Sequence, residues 1–398
     1  MPRGEIIFTG MDRVIFGQEA SSAIVAEAAR FDAKRVFLLV SGTLNRETDA
    51  VDVIAEALGT SFAGRCDHMP SHSPREAVVA CANAARDADC DLLVCFGGGS
   101  VTDGGKGVTI CLEHNINDVS GLEPFRTVVD ENGDRHYPEY GAPTVRSIIV
   151  PTTLSGGEFN ARAGITNTVE KLKQSYIHPG IIPISVILDP AVTVYTPEWL
   201  WLSTGIRAVD HAVETYCSLD ANAYTDGAAL QALRLLSKGL SKVKANPSDL
   251  DARLQCLMGA WISMTGVVTG TRLGASHAIG HIIGVHYSVG HGYTSCVTQP
   301  YVMEFNRSVS AFKQSMLARS AGLDIRGLSD EEAAEAAARA VDDFVIGMGM
   351  PHRIRELEVP EEDLPRIAEL VLTDSGCRNN PIPITSAEQV MEVLRKAF

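Results

Sequence analysis

The chain has 398 residues and carries 49 acidic against 34 basic side chains, a formal charge of −15. That excess of anion argues against a nucleic-acid or anionic-membrane surface, because both need clustered cations to neutralise phosphate. With 45% hydrophobic and 21% charged residues the composition is that of a globular protein, and the length suits two domains or one large one.

The opening stretch MPRGEIIFTGMDRVIFG has an early Arg but no apolar core and no small-residue cleavage site, so no signal peptide is expected. No run of ~20 apolar residues follows, so no membrane span is expected either. Nine scattered cysteines with no CxxC pair read as reduced thiols and point to a cytoplasmic location. Short apolar strands are predicted at Lys34–Val40, Asp91–Phe96, Arg146–Val150 and Ile184–Leu188, with a helix at Glu76–Asp87. Near-continuous apolar runs separated by helices are what a parallel sheet covered on both faces produces. The polar stretch Asn115–Tyr140, with Asp130-Glu131-Asn132-Gly133-Asp134 at its centre, reads as a hairpin or loop insertion. After about Pro190 helical periodicity takes over, at Glu198–Ser218, Asp226–Lys244, Leu250–Thr269, Ser276–Val285, Ser308–Ala321 and Glu331–Asp343. Ser329 and Glu332 form a capping box for the last of these. The expected architecture is a Rossmann-like α/β dinucleotide-binding domain over residues 1–190, then an all-α helical domain over 191–398.

Two loops in the first half suit a nucleotide. Gly97-Gly98-Gly99-Ser100 lies between a strand and a helix bearing Asp103 and Lys106. Glycines let backbone approach a pyrophosphate, and the free N–H groups of a helix start bind the anion. Pro151–Glu158 (PTTLSGGE) also follows a strand, and Thr152, Thr153 and Ser155 there suit ribose or phosphate contacts at a sheet's carboxyl edge. Either loop could equally be a plain connection. In the second half His211 lies in GIRAVDHAVETY, and His277, His281, His286 and His291 lie in GASHAIGHIIGVHYSVGH. His277 shares a helix face with His281, and Arg207 with His211, so two such pairs could bind a metal or perform acid–base work. A hard divalent ion also wants a carboxylate, but the face of His211 offers the permanent cation Arg207, with Asp210 turned about 100° from His211.

Taken together these stretches resemble the iron-containing (group III) alcohol dehydrogenase superfamily. The resemblance runs from Val14-Ile15-Phe16-Gly17 through GGGSVTDGGK, PTTLSGGE, ILDP, GIRAVDHAVE and HAIGH…GHG to Asn379-Asn380-Pro381. It implies the dehydroquinate synthase-like fold, with a cofactor, NADH or NADPH, held in a cleft and its nicotinamide over the histidines. It implies a homodimer too, since dimers are common in that superfamily. The metal-dependent members hold iron or zinc by one Asp and three His. The matching histidines are His211, His277 and His291, while Arg207 stands at the Asp position. Loss of that carboxylate looks like the maleylacetate reductase branch, which works without a metal. PTTLSGGEFNARAGIT, DLDARLQCLMGAW and His68-Met69-Pro70 look like it as well. Asp103, the single His at 277, and Asn380-Pro381-Ile382 with Arg378 nearby depart from that branch.

The expected reaction is a metal-independent reduction by NAD(P)H of a carbonyl or conjugated double bond in a small acidic substrate, such as a keto acid or a maleylacetate-like dicarboxylate. Protonated His281 or His277 would stabilise the oxyanion and donate the proton, with His291 and His211 completing the cluster. Arg207 would hold the substrate carboxylate, with Arg162 a second candidate. Arg207 could instead form an ion pair with Asp210 or Glu214. Ser41 follows a strand where NAD-selective relatives place an Asp, so NADPH is tolerated in this reading, and Lys173 matches a lysine at the nicotinamide ribose. Two other readings stay open. One is an Fe2+- or Zn2+-dependent alcohol or aldehyde dehydrogenase using His211, His277 and His291, with Asp210 as a shifted ligand. The other is a cyclase or lyase like the dehydroquinate synthases.

Overall fold

The computed structural model describes residues 5–130 and 135–398. The chain divides into two compact units, one spanning Phe8–Thr196 and the other built on Pro197–Phe398. The boundary falls after Thr196 rather than at 190, because the 3-10 turn Ala191–Tyr195 stays with the sheet unit and Thr196 Oγ1 donates to Thr152 O at 2.7 Å.

The first unit runs β1 (Arg13–Phe16), α1 (Ala20–Arg30), β2 (Val36–Val40), α2 (Gly42–Glu47), α3 (Ala50–Leu58), β3 (Phe62–Cys66), α4 (Arg75–Asp87), β4 (Leu92–Gly97) and α5 (Gly99–Glu113). It continues through β5 (Val128–Val129), β6 (Arg135–His136), β7 (Arg146–Pro151), β8 (Arg162–Asn167), β9 (Leu172–Ile177) and β10 (Ser185–Leu188). Six strands form a parallel sheet in the order β1-β10-β7-β4-β2-β3. Every residue of β2, β4 and β10 is buried, so side chains alternate into two cores. Val36, Leu38 and Val40 pack with Ile24 and Ile54 on one face, while Phe37 and Leu39 pack with Val78 and Val108 on the other. Cutting a fully buried Leu such as Leu38 to Ala would cost about 2–5 kcal/mol. The chain leaves β2 toward β3 in one direction and β4 toward β7 in the other, so the sheet's switch point lies between β2 and β4, where open α/β sheets bind ligands at their carboxyl ends.

The hairpin expected within Asn115–Tyr140 is present as the antiparallel pair β5–β6; its tip, 131–134, lies outside the described residues. The pair β8–β9 was not expected: its register joins Arg162 to Ile177 and Asn167 to Leu172, and its modest apolar content hides the alternation.

The second unit is helical: α6 (Glu198–Cys217), α7 (Ala223–Ala245), α8 (Leu250–Ser263), α9 (Thr265–Val268), α10 (Ala275–His286), α11 (His291–Ala321), α12 (Asp330–Gly347), α13 (Leu364–Val371), α14 (Ser375–Asn379) and α15 (Ala387–Ala397). Leu250–Thr269 is two helices, not one, because the chain turns at Met264, whose N–H bonds Trp261 O. Conversely, α11 starts 17 residues before the expected Ser308 and runs through Pro300. A mid-helix proline costs about 3 kcal/mol, so sequence reading stops there. Here Thr294–Met303 are all buried, and that packing sustains the helix. The capping box at Ser329 and Glu332 is formed.

Candidate active-site residues

The carboxyl ends of β2, β4 and β7 are level: Val40 pairs with Phe96, Phe96 with Val150, and Gly97 with Pro151. Two backbone bonds carry this alignment past the strands, Ser41 N to Phe96 O at 2.9 Å and Thr152 N to Gly97 O at 3.0 Å. Ser41, Gly97 and Thr152, far apart in sequence, are therefore neighbours along one edge. Gly98 is the N-cap of α5 and no side chain caps it, so the helix start keeps its anion-binding character. A Cβ on Gly97 would lie 2.7 Å from Val101, one on Gly98 3.0 Å from Thr153, and one on Gly99 3.3 Å from Ser155. Gly98 and Gly99 thus lie against the Thr152–Ser155 loop, while Gly97 makes room for Val101 of the helix itself. Ser100 Oγ accepts from His72 N at 3.1 Å, and Asp103 lies 3.4 Å from Lys173 Nζ. The arrangement fits a dinucleotide pyrophosphate: a glycine cradle, an uncapped helix start and small hydroxyls.

Sequence reading missed three groups here. Arg46 of α2 is exposed, and its Nη1 would lie 2.7 Å from a Cβ on Gly42, beside Ser41. Lys106 is fully buried, and Glu158 is 2% exposed with Oε2 unbonded. Burial pushes the Glu158 carboxyl up to about 7 and pulls Lys106 down to about 8. Arg162 is the first residue of β8 in this unit, so the two candidate carboxylate-binding arginines belong to different units.

In the helical unit, α6 presents Arg207, Asp210, His211 and Glu214 at i, i+3, i+4 and i+7, a single stripe. All four are buried. The predicted histidines form a row: ring centroids are 5.0 Å apart for His211–His277, 6.2 Å for His277–His281 and 5.9 Å for His281–His291. Glycines on α10 make room for this row, with a Cβ on Gly280 meeting Thr294 at 2.7 Å and one on Gly284 meeting His291 at 3.2 Å.

Glu214, expected only as an alternative ion-pair partner of Arg207, caps α10 from another helix. Its carboxyl accepts from Gly274 N at 2.9 Å and Ser276 N at 2.8 Å, and its Oε2 lies 2.8 Å from His277 Nδ1. Burial nevertheless raises it to about 8, with the Asp210 charge acting the same way and the two N–H bonds opposing. Asp210 does reach the cluster, despite its offset from His211. Its Oδ2 accepts from Ser276 Oγ at 2.9 Å and Ser295 Oγ at 2.6 Å, and lies 3.5 Å from His277 Nδ1. Arg207 Nη1 donates to Ser295 Oγ at 3.0 Å and stands 3.8 Å from Asp210 Oδ2. Burial lifts Asp210 to about 6, and the Arg207 charge holds it from going higher.

Burial and the Arg207 charge drive His211 down to about 3 and His277 well below its ordinary value. The expected protonated His277 is therefore not favoured, and its buried Nε2 has no hydrogen-bond partner. His281 differs: its side chain is 40% exposed and its Nδ1 pairs with Asp374 Oδ2 at 2.9 Å. That carboxylate suits an imidazolium.

Asp210, Glu214 and His277 bring ligand atoms within 4.8 Å of one another, a geometry a metal ion could use. Asp210 Oδ1 and His277 Nε2 are buried without a hydrogen-bond partner, while the remaining ligand atoms are committed. Both Glu214 oxygens and Asp210 Oδ2 are taken by the protein's own donors, and a buried guanidinium stands beside them.

Comparison with known proteins adds an independent line. Residues 12–190 match the iron-containing alcohol dehydrogenase domain, and residues 201–398 match the C-terminal domain of the Fe-containing alcohol dehydrogenase family. The chain is 31% identical to Dehydrogenase ALT3 of Alternaria alternata over 92% of its own length and 100% of that protein. It is 27% identical to Maleylacetate reductase 1 of Cupriavidus pinatubonensis over 94% of the chain and 92% of the relative. A crystal structure of a 1,3-propanediol oxidoreductase superposes with a TM-score of 0.90 at 28% identity, covering 99% of this chain and 100% of that one. The chain therefore belongs to the iron-containing alcohol dehydrogenase family and is an oxidoreductase of that family.

Proposed function

We propose that this enzyme uses NAD(P)H, without a metal, to reduce a carbonyl or enoyl group in a small substrate that carries a carboxylate. The observation that carries the reading is Arg207, a buried cation on the stripe that also bears His211, held by Ser295 and Asp210 through one nitrogen, Nη1. Its Nε and Nη2 make no hydrogen bond to the described residues, which leaves them to meet a substrate carboxylate in a bidentate pair. The likeness to a maleylacetate reductase along nearly the whole chain supports the same substrate class.

The nicotinamide, when bound, supplies a hydride to the substrate carbon. The protein's residues do the rest. The Gly97–Ser100 turn and the Thr152–Ser155 loop hold the pyrophosphate and ribose. Arg207 orients the substrate by its carboxylate. His281, its Nδ1 paired with Asp374, donates to the oxygen as negative charge develops there, and the product is the alcohol, or, for an enoyl substrate, an enol that tautomerises to the saturated acid. His211 and His277 stay neutral and line the polar site, with His291 at the other end of the row. Ser41 and the nearby Arg46 favour NADPH, since an Asp there would repel a 2′-phosphate and a guanidinium attracts it. Nine free thiols fit a reducing compartment, and a homodimer is the assembly we expect. No helix among the described residues is long and apolar enough to cross a membrane.

The test is a rate comparison across matched substrates, 2-keto acids and unsaturated keto dicarboxylates against aldehydes and ketones of similar size lacking the carboxylate. The proposal expects the acids to be favoured by roughly 100-fold in kcat/KM, the worth of a charge-assisted pair. Equal rates on neutral aldehydes or alcohols would sink it. They would instead favour a metal-dependent alcohol dehydrogenase, for which the Asp210, Glu214 and His277 group would be the site to examine.

A further inference from the structure

Lys106 takes no part in the chemistry above, yet it is among the largest fully buried side chains of the protein. It sits on α5, two turns after the glycine loop. Its ammonium makes three bonds, all to one neighbouring segment: Gly157 O at 2.6 Å, Arg162 O at 2.8 Å and Asn160 Oδ1 at 3.2 Å. Among the described residues no carboxylate lies within ion-pair distance of it. A bare ammonium caged by carbonyls in an apolar interior is costly unless every proton is bonded. Three protons meet three acceptors here.

The segment it holds follows directly on the loop that closes over the glycines. Thr153 and Ser155 face Gly98 and Gly99, Gly156 turns with φ +73°, and Gly157–Phe159 forms a 3-10 turn. Asn160 Oδ1 is itself fixed by accepting from Arg162 N at 2.9 Å. One bond set thus fastens the far end of the Thr152–Ser155 loop to the helix whose start forms the other wall of the cradle.

We propose that Lys106 is a positioning residue of the dinucleotide site, clamping the Thr152–Ser155 loop over the glycine turn so that cofactor affinity depends on its ammonium. This rests on the reading of this unit as a dinucleotide site. The groups facing Lys106 are Asp103 on its own helix, Cys95 on β4, Glu158 in the 3-10 turn and Arg162 on β8, with Lys173 on β9 paired to Asp103. Burial brings Lys106 down to about 8, so the clamp is charged at neutral pH and neutral by pH 10.

The experiment is titration of the full-length protein with NADH, by its fluorescence, from pH 6.5 to 9.5. Wild type should lose affinity as pH rises through about 8. Lys106→Met should bind NADH about 10- to 100-fold more weakly at pH 7, the scale on which small misplacements are felt, and its profile should be flat. Glu158→Gln should retain the alkaline loss, which assigns the titration to the lysine. If Lys106→Met does not fold, Asn160→Ala serves: with one acceptor gone, the alkaline loss should move to lower pH. A Lys106→Met protein that binds NADH like wild type or keeps its pH profile overturns the assignment. So does an Asn160→Ala protein whose profile is unmoved, or a Glu158→Gln protein whose alkaline loss has gone. Wild-type protein that binds neither NADH nor NADPH would instead refute the dinucleotide reading itself, and the clamp with it.

Discussion

In the α/β unit the groups that would face a cofactor are backbone and small side chains at three strand ends. In the helical unit they are large charged side chains buried against one another. The first arrangement is set by close approach: a Cβ on Gly97 would clash with Val101, and those on Gly98 and Gly99 would crowd Thr153 and Ser155. The second is set by charge: Arg207, Asp210, His211 and Glu214 share a stripe, and each one's protonation depends on the others. Changes in the first unit should therefore act mainly on cofactor affinity, and changes in the second on stability and turnover together.

The largest effect should come from Arg207→Met. It leaves Asp210 buried without its cation, which costs about 3–5 kcal/mol, and kcat/KM for acidic substrates should fall roughly 100-fold. Thermal unfolding and steady-state kinetics read both. Adding Asp210→Asn to that variant should restore much of the stability but none of the activity, separating the two roles of the arginine. If stability and activity return together, the stripe is structural only.

Next in size is the proton donor. His281→Ala should lower kcat by about 10²–10⁴-fold, the range for a lost general acid. Asp374→Asn should lower it less, because the amide can still bond His281 Nδ1. An unchanged kcat in His281→Ala would put the acid elsewhere in the histidine row.

Smaller changes belong to the α/β unit. Ser41→Asp should turn preference from NADPH toward NADH by about tenfold or more in kcat/KM, with little effect on melting. Smallest is a pH effect on stability. The folded Glu158 carboxyl is raised to about 7 from an ordinary 4.5. The folded state then holds the extra proton between those values, so this group's contribution is full below about 4.5 and is lost as pH rises toward 7. Urea unfolding should show that decline, on the order of 1–3 kcal/mol, in wild type and not in Glu158→Gln.

How much of this was readable from sequence divides along the same line. Buried parallel strands announce themselves as unbroken apolar runs, and glycines that end them mark where backbone must come close, so the sheet and its nucleotide edge were legible. Arg207 stood out by position and His211, His277, His281 and His291 by density. Their partners did not. Glu214 acts by capping a helix that starts 60 residues later, and Asp374 meets His281 across 93 positions, distances over which periodicity carries no signal. Asp210 was legible as an ion-pair partner for Arg207, three positions away on the same stripe, but its bonds to Ser276 and Ser295 were not. The first half of α11 was hidden by Pro300, whose cost only tertiary packing reveals. Lys106 could be seen as one letter of a glycine-rich run, but not as the holder of a loop 51 to 56 residues away.

The central claim is that a buried arginine, and not a metal ion, serves the charge of the substrate in the helical unit. Elemental analysis of active enzyme purified without a His-tag, with NADH and NADPH oxidation followed before and after chelation, tests it most directly. The account predicts iron and zinc far below one equivalent and a rate on an acidic substrate unchanged by chelator. One equivalent of iron or zinc, with activity lost to the chelator and restored by the metal, would contradict it.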